Sequence, residues 1–210
     1  MTTMANRNPV TAWKTLKEGN ERFVAGAAQH PDQSVEHRAS LTSGQQPFAA
    51  ILGCSDSRAP VEIIFDQGLG DLFVVRTAGQ VLDAAVLGSL EFGVGVLNVP
   101  LIVVLGHRSC GAIKATLATV DGADIPGGYV RDLVERVTPS VLVGRRDGLT
   151  TPAEFEARHV TETVAQLLAR SATIADGVAG GTLAVVGATY ELADGLVVVH
   201  DHLGDVGEAA

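Results

Sequence analysis

The sequence predicts an α/β protein. Its centre is a mostly parallel sheet of four to five strands flanked by helices, with an N-terminal helical arm at about 9–42 and a C-terminal antiparallel edge hairpin. Three observations carry this. The short apolar runs are nearly continuous rather than alternating, which marks strands buried on both faces of a parallel sheet. Helical patterns separate those runs, as strand-helix-strand units require. The composition is aliphatic, with 46% hydrophobic but only 4% aromatic residues, and the 24 glycines suit tight strand-helix turns. A length of 210 residues is enough for one domain spanning 1–210 with a sizeable core.

In chain order, Pro9 opens a helix whose apolar stripe is Trp13, Leu16, Phe23 and Val24, ending near Gly26. Such an arm packs on the body or on a partner subunit. A short second helix reads over 34–43. The strand candidates are 48–53, 71–76, 101–106 and 182–189, with helices at 83–97 and 109–120. Thr151-Pro152-Ala153-Glu154 is a helix start, with Thr as cap, Pro at the first position and Glu154 closing a capping box. That helix runs to about 170, with more helix to about 178. Tyr190 to Val199 reads as strand, Asp194-Gly195 turn, strand, giving the edge hairpin.

The formal charge of −9 comes without any Lys/Arg block; Arg145-Arg146 is followed at once by Asp147. A nucleic-acid footprint is therefore not expected. The opening MTTMANRNPVTA lacks the apolar core of a signal peptide. The longest apolar stretch, 92–106, is too short for a bilayer and contains Asn98 and Pro100. Two cysteines make no disulfide framework. Free thiols in a reducing, cytoplasmic setting fit better and favour catalytic or metal-binding use.

Both cysteines occupy the same architectural position. Cys54, in Gly53-Cys54-Ser55-Asp56-Ser57-Arg58, follows the first strand; Cys110, in Gly106-His107-Arg108-Ser109-Cys110-Gly111, follows the third. Neighbouring parallel strands bring such residues together at their carboxyl edge. Cys54 and His107 can thus meet although 53 positions apart. An isolated cysteine is ordinarily a buried apolar thiol. Two thiols and an imidazole at adjacent strand ends are instead a donor set for Zn²⁺. Three protein ligands with no third cysteine point to a catalytic rather than a closed structural zinc. Asp56 is the only nearby fourth candidate. Asp66, Asp83 and Glu91 are assigned structural or solvated roles. His159 is expected at a surface or interface, and His200-Asp201-His202 is expected to be ordinary strand.

The pair C-S-D-S-R and G-H-x-x-C-G, with Arg76-Thr77-Ala78-Gly79-Gln80 between them, resembles the β-class carbonic anhydrases, from about Trp13 through the terminal hairpin. The resemblance implies one Zn²⁺ per subunit on Cys54, His107 and Cys110, and hydration of CO₂ to bicarbonate and a proton by zinc-bound hydroxide. It implies an Asp56–Arg58 dyad that aims this hydroxide, with Asp56 as fourth zinc ligand in a closed, low-pH state. Zinc lowers the pKa of bound water from 15.7 to about 7 in the best-known carbonic anhydrases. Two thiolates already offset the zinc charge here, so activity is expected to rise at alkaline pH. By register, Gln45, Phe73, Ala78, Phe92 and the Gly111 N–H form the substrate pocket, with Gln45 acting across a dimer interface. Arg76 and Tyr190 match two members of an inhibitory bicarbonate site, but Ile51 stands in place of its Trp. With Gln45 present, a plant-like subtype fits better. A homodimer or dimer-based homotetramer is implied. The competing enzyme is a CS₂ or COS hydrolase on the same scaffold; the non-enzyme alternative is a sensor with a degenerate site.

Overall fold

The computed structural model describes residues 7–208; the first half of the MTTMANRNPVTA opening lies outside the described residues. Five strands form one sheet: β1 (Ala49–Cys54), β2 (Leu72–Thr77), β3 (Leu101–His107), β4 (Ala184–Tyr190) and β5 (Val197–Leu203). Their order is β2-β1-β3-β4-β5, parallel except for β5. From β1 the chain first moves to one side, to β2, and then to the other, to β3. That makes the crevice between β1 and β3 the topological switch point, where open α/β sheets bind ligands at the carboxyl ends of their strands.

β1, β3 and β4 are buried along their whole length, as continuous apolar runs predict. The sheet divides the core by residue parity. Ile51, Leu101, Val103, Leu105, Val186 and Ala188 pack toward α1 (Pro9–Val24) and α3 (Val61–Ile64). Ala50, Leu52, Ile102, Val104 and Val185 pack toward α4 (Ala84–Gly95), α7 (Pro152–Arg170) and α8 (Ala172–Ala179). β2 departs from expectation: all six residues are only half-buried, because it is a sheet edge.

The arm helix α1 packs on its own body. Trp13 and Leu16 are buried, Phe23 is partly buried, and Val24 is exposed. Asn20 anchors it, donating to the Ile64 and Gly195 carbonyls and accepting from the Val197 N–H. α2 (Val35–Ser40) continues into a 3-10 turn over Leu41–Ser43 and buries nothing. The capping box at Thr151 and Glu154 forms as read.

Three elements differ from the sequence expectation. The hairpin has no separate strand at 190–192: β4 itself pairs with β5, and 191–196 form the connection. The short α3 goes unmarked in the sequence. So does α6 (Val130–Arg146), which buries Val134, Val137 and Val141 beside α5 (Gly111–Val120). Pro139 within α6 argues against a helix, but it is exposed, so the carbonyl it leaves without an intrahelical partner faces water. No helix among the described residues is long and apolar enough to cross a membrane.

α7 approaches the sheet closely because two strand positions lack a Cβ. A Cβ on Gly106 would stand 2.6 Å from Val160 Cγ2, and one on Gly187 2.9 Å from Val160 Cγ1. We expect Gly106→Ala to cost about 1–3 kcal/mol through overpacking, read as a lower urea midpoint at unchanged slope. An unchanged midpoint would mean that the helix stands off without loss.

Candidate metal centre

The strand pairing decides which side chains meet. β1 and β3 lie side by side in parallel with Gly53 opposite Leu105, so Cys54 and His107 emerge together at the carboxyl edge. The chain after His107 turns through Ser109, a non-glycine residue at φ +57°, to place Cys110 at the N-cap of α5. Left-handed backbone at a non-glycine residue is strained, and such strain gathers at functional sites. The sulfurs of Cys54 and Cys110 and a ring nitrogen of His107 all lie within 4.8 Å of one another, and all three residues are buried.

Two features show that these residues fit a divalent metal. His107 Nδ1 lies 2.9 Å from the Arg108 carbonyl, which only accepts, so Nδ1 carries the proton. Nε2 is then a bare lone pair, buried and without a hydrogen-bond partner, beside two sulfurs. This is the arrangement of metal-binding histidines, whose far nitrogen is fixed by a carbonyl or carboxylate. The thiols, in turn, interact strongly. Their mutual hydrogen bond pulls the Cys54 thiol well below the ordinary range, against its burial, and pushes that of Cys110 up. Burial disfavours a charged His107, yet the adjacent Cys54 sulfur raises its pKa on balance. A dication in the triangle relieves all three groups at once.

Asp56 is gripped by Arg58. Its Oδ1 accepts from the Arg58 backbone N–H and Nε, both at 2.9 Å, and its Oδ2 accepts from Nη2 at 2.8 Å. This grip, opposed by partial burial, holds its carboxyl well below the usual carboxylate range. Oδ2 lies 3.8 Å from His107 Nε2. Arg58 also donates to the Ser109 carbonyl at 3.3 Å, tying the two motif loops together. Arg76 donates to the carbonyls of Cys54 at 2.8 Å and Asp56 at 2.6 Å, so it braces the loop from β2.

Of the other residues singled out, Ala78 adjoins Gly79, whose N–H donates to the Cys54 sulfur at 3.2 Å. Gly111 opens α5 directly after Cys110. Gln45 is exposed in the loop before β1. Phe73 and Phe92 pack on each other with centroids 6.1 Å apart. Phe73 is paired with Ala50, four residues before Cys54, or about 13 Å down the strand. Within one chain the structure therefore does not bring this aromatic pair to the candidate metal ligands. Asp83 caps α4, Asp66 binds Arg22, and Glu91 accepts from Ser171. His200 meets Thr189 Oγ1 at 2.7 Å. Tyr190 packs against Phe23, and Ile51 is buried in the core.

His159 is a correction: it is buried, not at a surface, with both ring nitrogens engaged. Sequence reasoning also missed Glu156 and Arg108. Glu156 is 4% exposed and accepts from the Cys110 N–H at 3.2 Å. Arg108 pairs with Glu156 at 3.5 Å and with Glu191 at 2.7 Å, joining the terminal hairpin to α7. The sequence carries no signal for Glu156: a carboxylate three residues from His159 on a helix is ordinarily exposed.

A sequence model of the carbonic anhydrase family matches residues 49–197. The chain is 67% identical over 205 residues to carbonic anhydrase 2 of Mycobacterium tuberculosis, covering 98% of this chain and 99% of that one. It is 64% identical to a carbonic anhydrase of Mycolicibacterium smegmatis, covering 98% and 100%. Among solved structures, a tetrameric β-carbonic anhydrase of Sordaria macrospora superposes with a TM-score of 0.70 at 25% identity, covering 90% and 96%. The likeness runs nearly end to end in sequence and extends to the fold at much lower identity, and the chain belongs to the β-class carbonic anhydrases.

Proposed function

We propose that this carbonic anhydrase hydrates CO₂ reversibly to bicarbonate and a proton, using one Zn²⁺ held by Cys54, His107 and Cys110. The observation that carries this is the buried, partnerless Nε2 of His107 beside the two sulfurs. When bound, the zinc would supply Lewis acidity that makes a bound water more acidic, to a lesser degree beside two thiolates than on neutral ligands. The remaining work falls to the chain. Asp56, ionised at all ordinary pH values, accepts a proton-bearing group in the site and orients it. Arg58 holds that carboxylate on three hydrogen bonds and sets its direction. We read this placement on Arg58 as an open site; a closed state with Asp56 as fourth ligand would take its Oδ2 from Arg58 Nη2. We assign Ala78, next to Gly79, and the Gly111 N–H, next to Cys110, to the substrate pocket by their neighbourhood to these residues.

The aromatic pair Phe73 and Phe92 stands on the half-buried edge at β2, with Phe92 45% exposed. We assign it, with the exposed Gln45, to a pocket completed by a second copy of the chain, so that the working unit is a homodimer or an assembly of dimers. The tetrameric Sordaria relative supports this. Two free thiols as ligands suit a reducing cytosol.

Stopped-flow hydration of CO₂ tests the activity. The zinc-loaded protein is expected to be active, increasingly so toward alkaline pH, and a chelator or Cys54→Ala is expected to abolish activity and zinc together. A protein holding stoichiometric zinc without hydration, or one that hydrolyses COS instead, would sink the proposal. Arg58→Ala lets Asp56 titrate nearer an ordinary value of about 3.9, still ionised above pH 6. Its effect is therefore one of aim rather than charge: kcat/KM falls about 10²-fold while the shape of the profile above pH 6 and the zinc content stay as in the parent. Glu156→Ala leaves the Cys110 N–H without a partner, and we expect a loss of about 1–3 kcal/mol in denaturant unfolding.

A further inference from the structure

His159 lies on α7 and is 2% exposed. Its Nδ1 is 2.8 Å from Ser140 Oγ on α6, and its Nε2 is 2.8 Å from the Gly79 carbonyl, 80 residues away in sequence. The directions of these bonds are determined. A carbonyl only accepts, so Nε2 carries the proton. Burial pushes the imidazolium pKa down, so the ring is neutral and Nδ1 accepts from the Ser140 hydroxyl. The ring is thus a fixed relay: Ser140 O–H to Nδ1, Nε2–H to the Gly79 carbonyl.

Gly79 is the residue whose N–H donates to the Cys54 sulfur. It sits at φ +72°, and a Cβ there would stand 2.7 Å from Ala112 Cβ. Gln80, next to it, is also left-handed at φ +42°. Two consecutive left-handed residues, one of them not glycine, persist only when their surroundings hold them. His159 bonds the carbonyl that joins these two residues. A hydrocarbon side chain would fill the same space but could not donate to it.

We propose that His159 is a positioning residue for Cys54: it holds the left-handed turn at Gly79 and Gln80, and thereby the N–H···S bond that this turn directs at the Cys54 sulfur. The inference rests on the proposal that Cys54 is a metal ligand. An N–H bonded to a thiolate draws charge from the sulfur and fixes its lone-pair direction, so loss of the bond changes both how tightly and how covalently the sulfur binds metal.

Two polar variants separate this from a purely structural role. In His159→Gln the amide nitrogen reaches the position of Nε2; in His159→Asn it stops near Nδ1 and cannot reach Gly79. For folded protein, zinc affinity by chelator competition is expected to fall about 10–100-fold in His159→Asn and to stay within about threefold of the parent in His159→Gln. With Co²⁺ in place of zinc, the sulfur-to-metal charge-transfer band is expected to move to lower energy in His159→Asn and to return in His159→Gln. Lost stability alone moves neither readout. Parent-like affinity and band in His159→Asn, or equal shifts in both variants, overturn the proposal. Should the variants not fold, the unaltered protein loaded with NMR-active cadmium tests the N–H···S bond that the proposal requires: the Gly79 amide proton is expected to show scalar coupling to the metal through the sulfur, and no coupling overturns the proposal. Cys54→Ala keeps the two claims apart. Metal retained in that variant refutes the ligand assignment, whereas metal lost there with no coupling at Gly79 refutes only the role of His159.

Discussion

The parallel pairing of β1 with β3 is the contact on which the candidate metal centre depends. Cys54 and His107 are the last residues of β1 and β3, and only adjacency of those strands brings their ligand atoms within 4.8 Å. Register is as important as adjacency, because a one-residue slip of either strand would turn its side chains to the opposite face. Close packing of side chains against the helices on each face resists that slip. Leu52 and Val104 are buried toward one layer of helices, Ile51 and Val103 toward the other. Close packing on both faces therefore does more than stabilise the sheet; it keeps the candidate metal ligands aligned.

Around this alignment the molecule assembles polar groups that would be costly to bury alone. Glu156 is compensated by Arg108 and by the Cys110 N–H. His159 is satisfied at both nitrogens. Arg76 meets two carbonyls of the loop that carries Asp56. These groups come from α7 and from β2, the elements flanking the motif loops. α7 can contribute because Gly106 and Gly187 let it approach the sheet. Close packing and site chemistry thus share one cause, the absence of two Cβ atoms.

The site divides into a rigid and a more accessible part. The candidate ligands Cys54, His107 and Cys110 are buried. Asp56 and Arg58 lie nearer solvent, with side chains 19% and 51% exposed, and are held mainly by each other. Hydrogen bonds among partly exposed groups exchange with water at small net cost. The metal ligands are therefore fixed by the fold, whereas the carboxylate above them is placed by a single arginine.

Much of this is legible in the sequence. Continuous apolar runs mark β1, β3 and β4 to within about two residues, since burial on both faces permits no polar interruption. The Thr151 capping box is local and forms as written. The two cysteine motifs announce their chemistry because few donor sets combine two thiols and an imidazole. Other features belong to the tertiary structure alone. α6 is hidden by Pro139, whose cost depends on whether it faces water. Whether the residues after Thr189 form a new strand or a turn depends on β4 already supplying the partner for β5. His159 and Glu156 read as ordinary helix residues, because nothing near them in sequence tells which groups will bury them. The sequence by itself determined which atoms are available to bind metal and on which strands they ride. Only the folded chain decided what supports them, because hydrogen bonds between residues as distant as Gly79 and His159 exist only once the layers have packed.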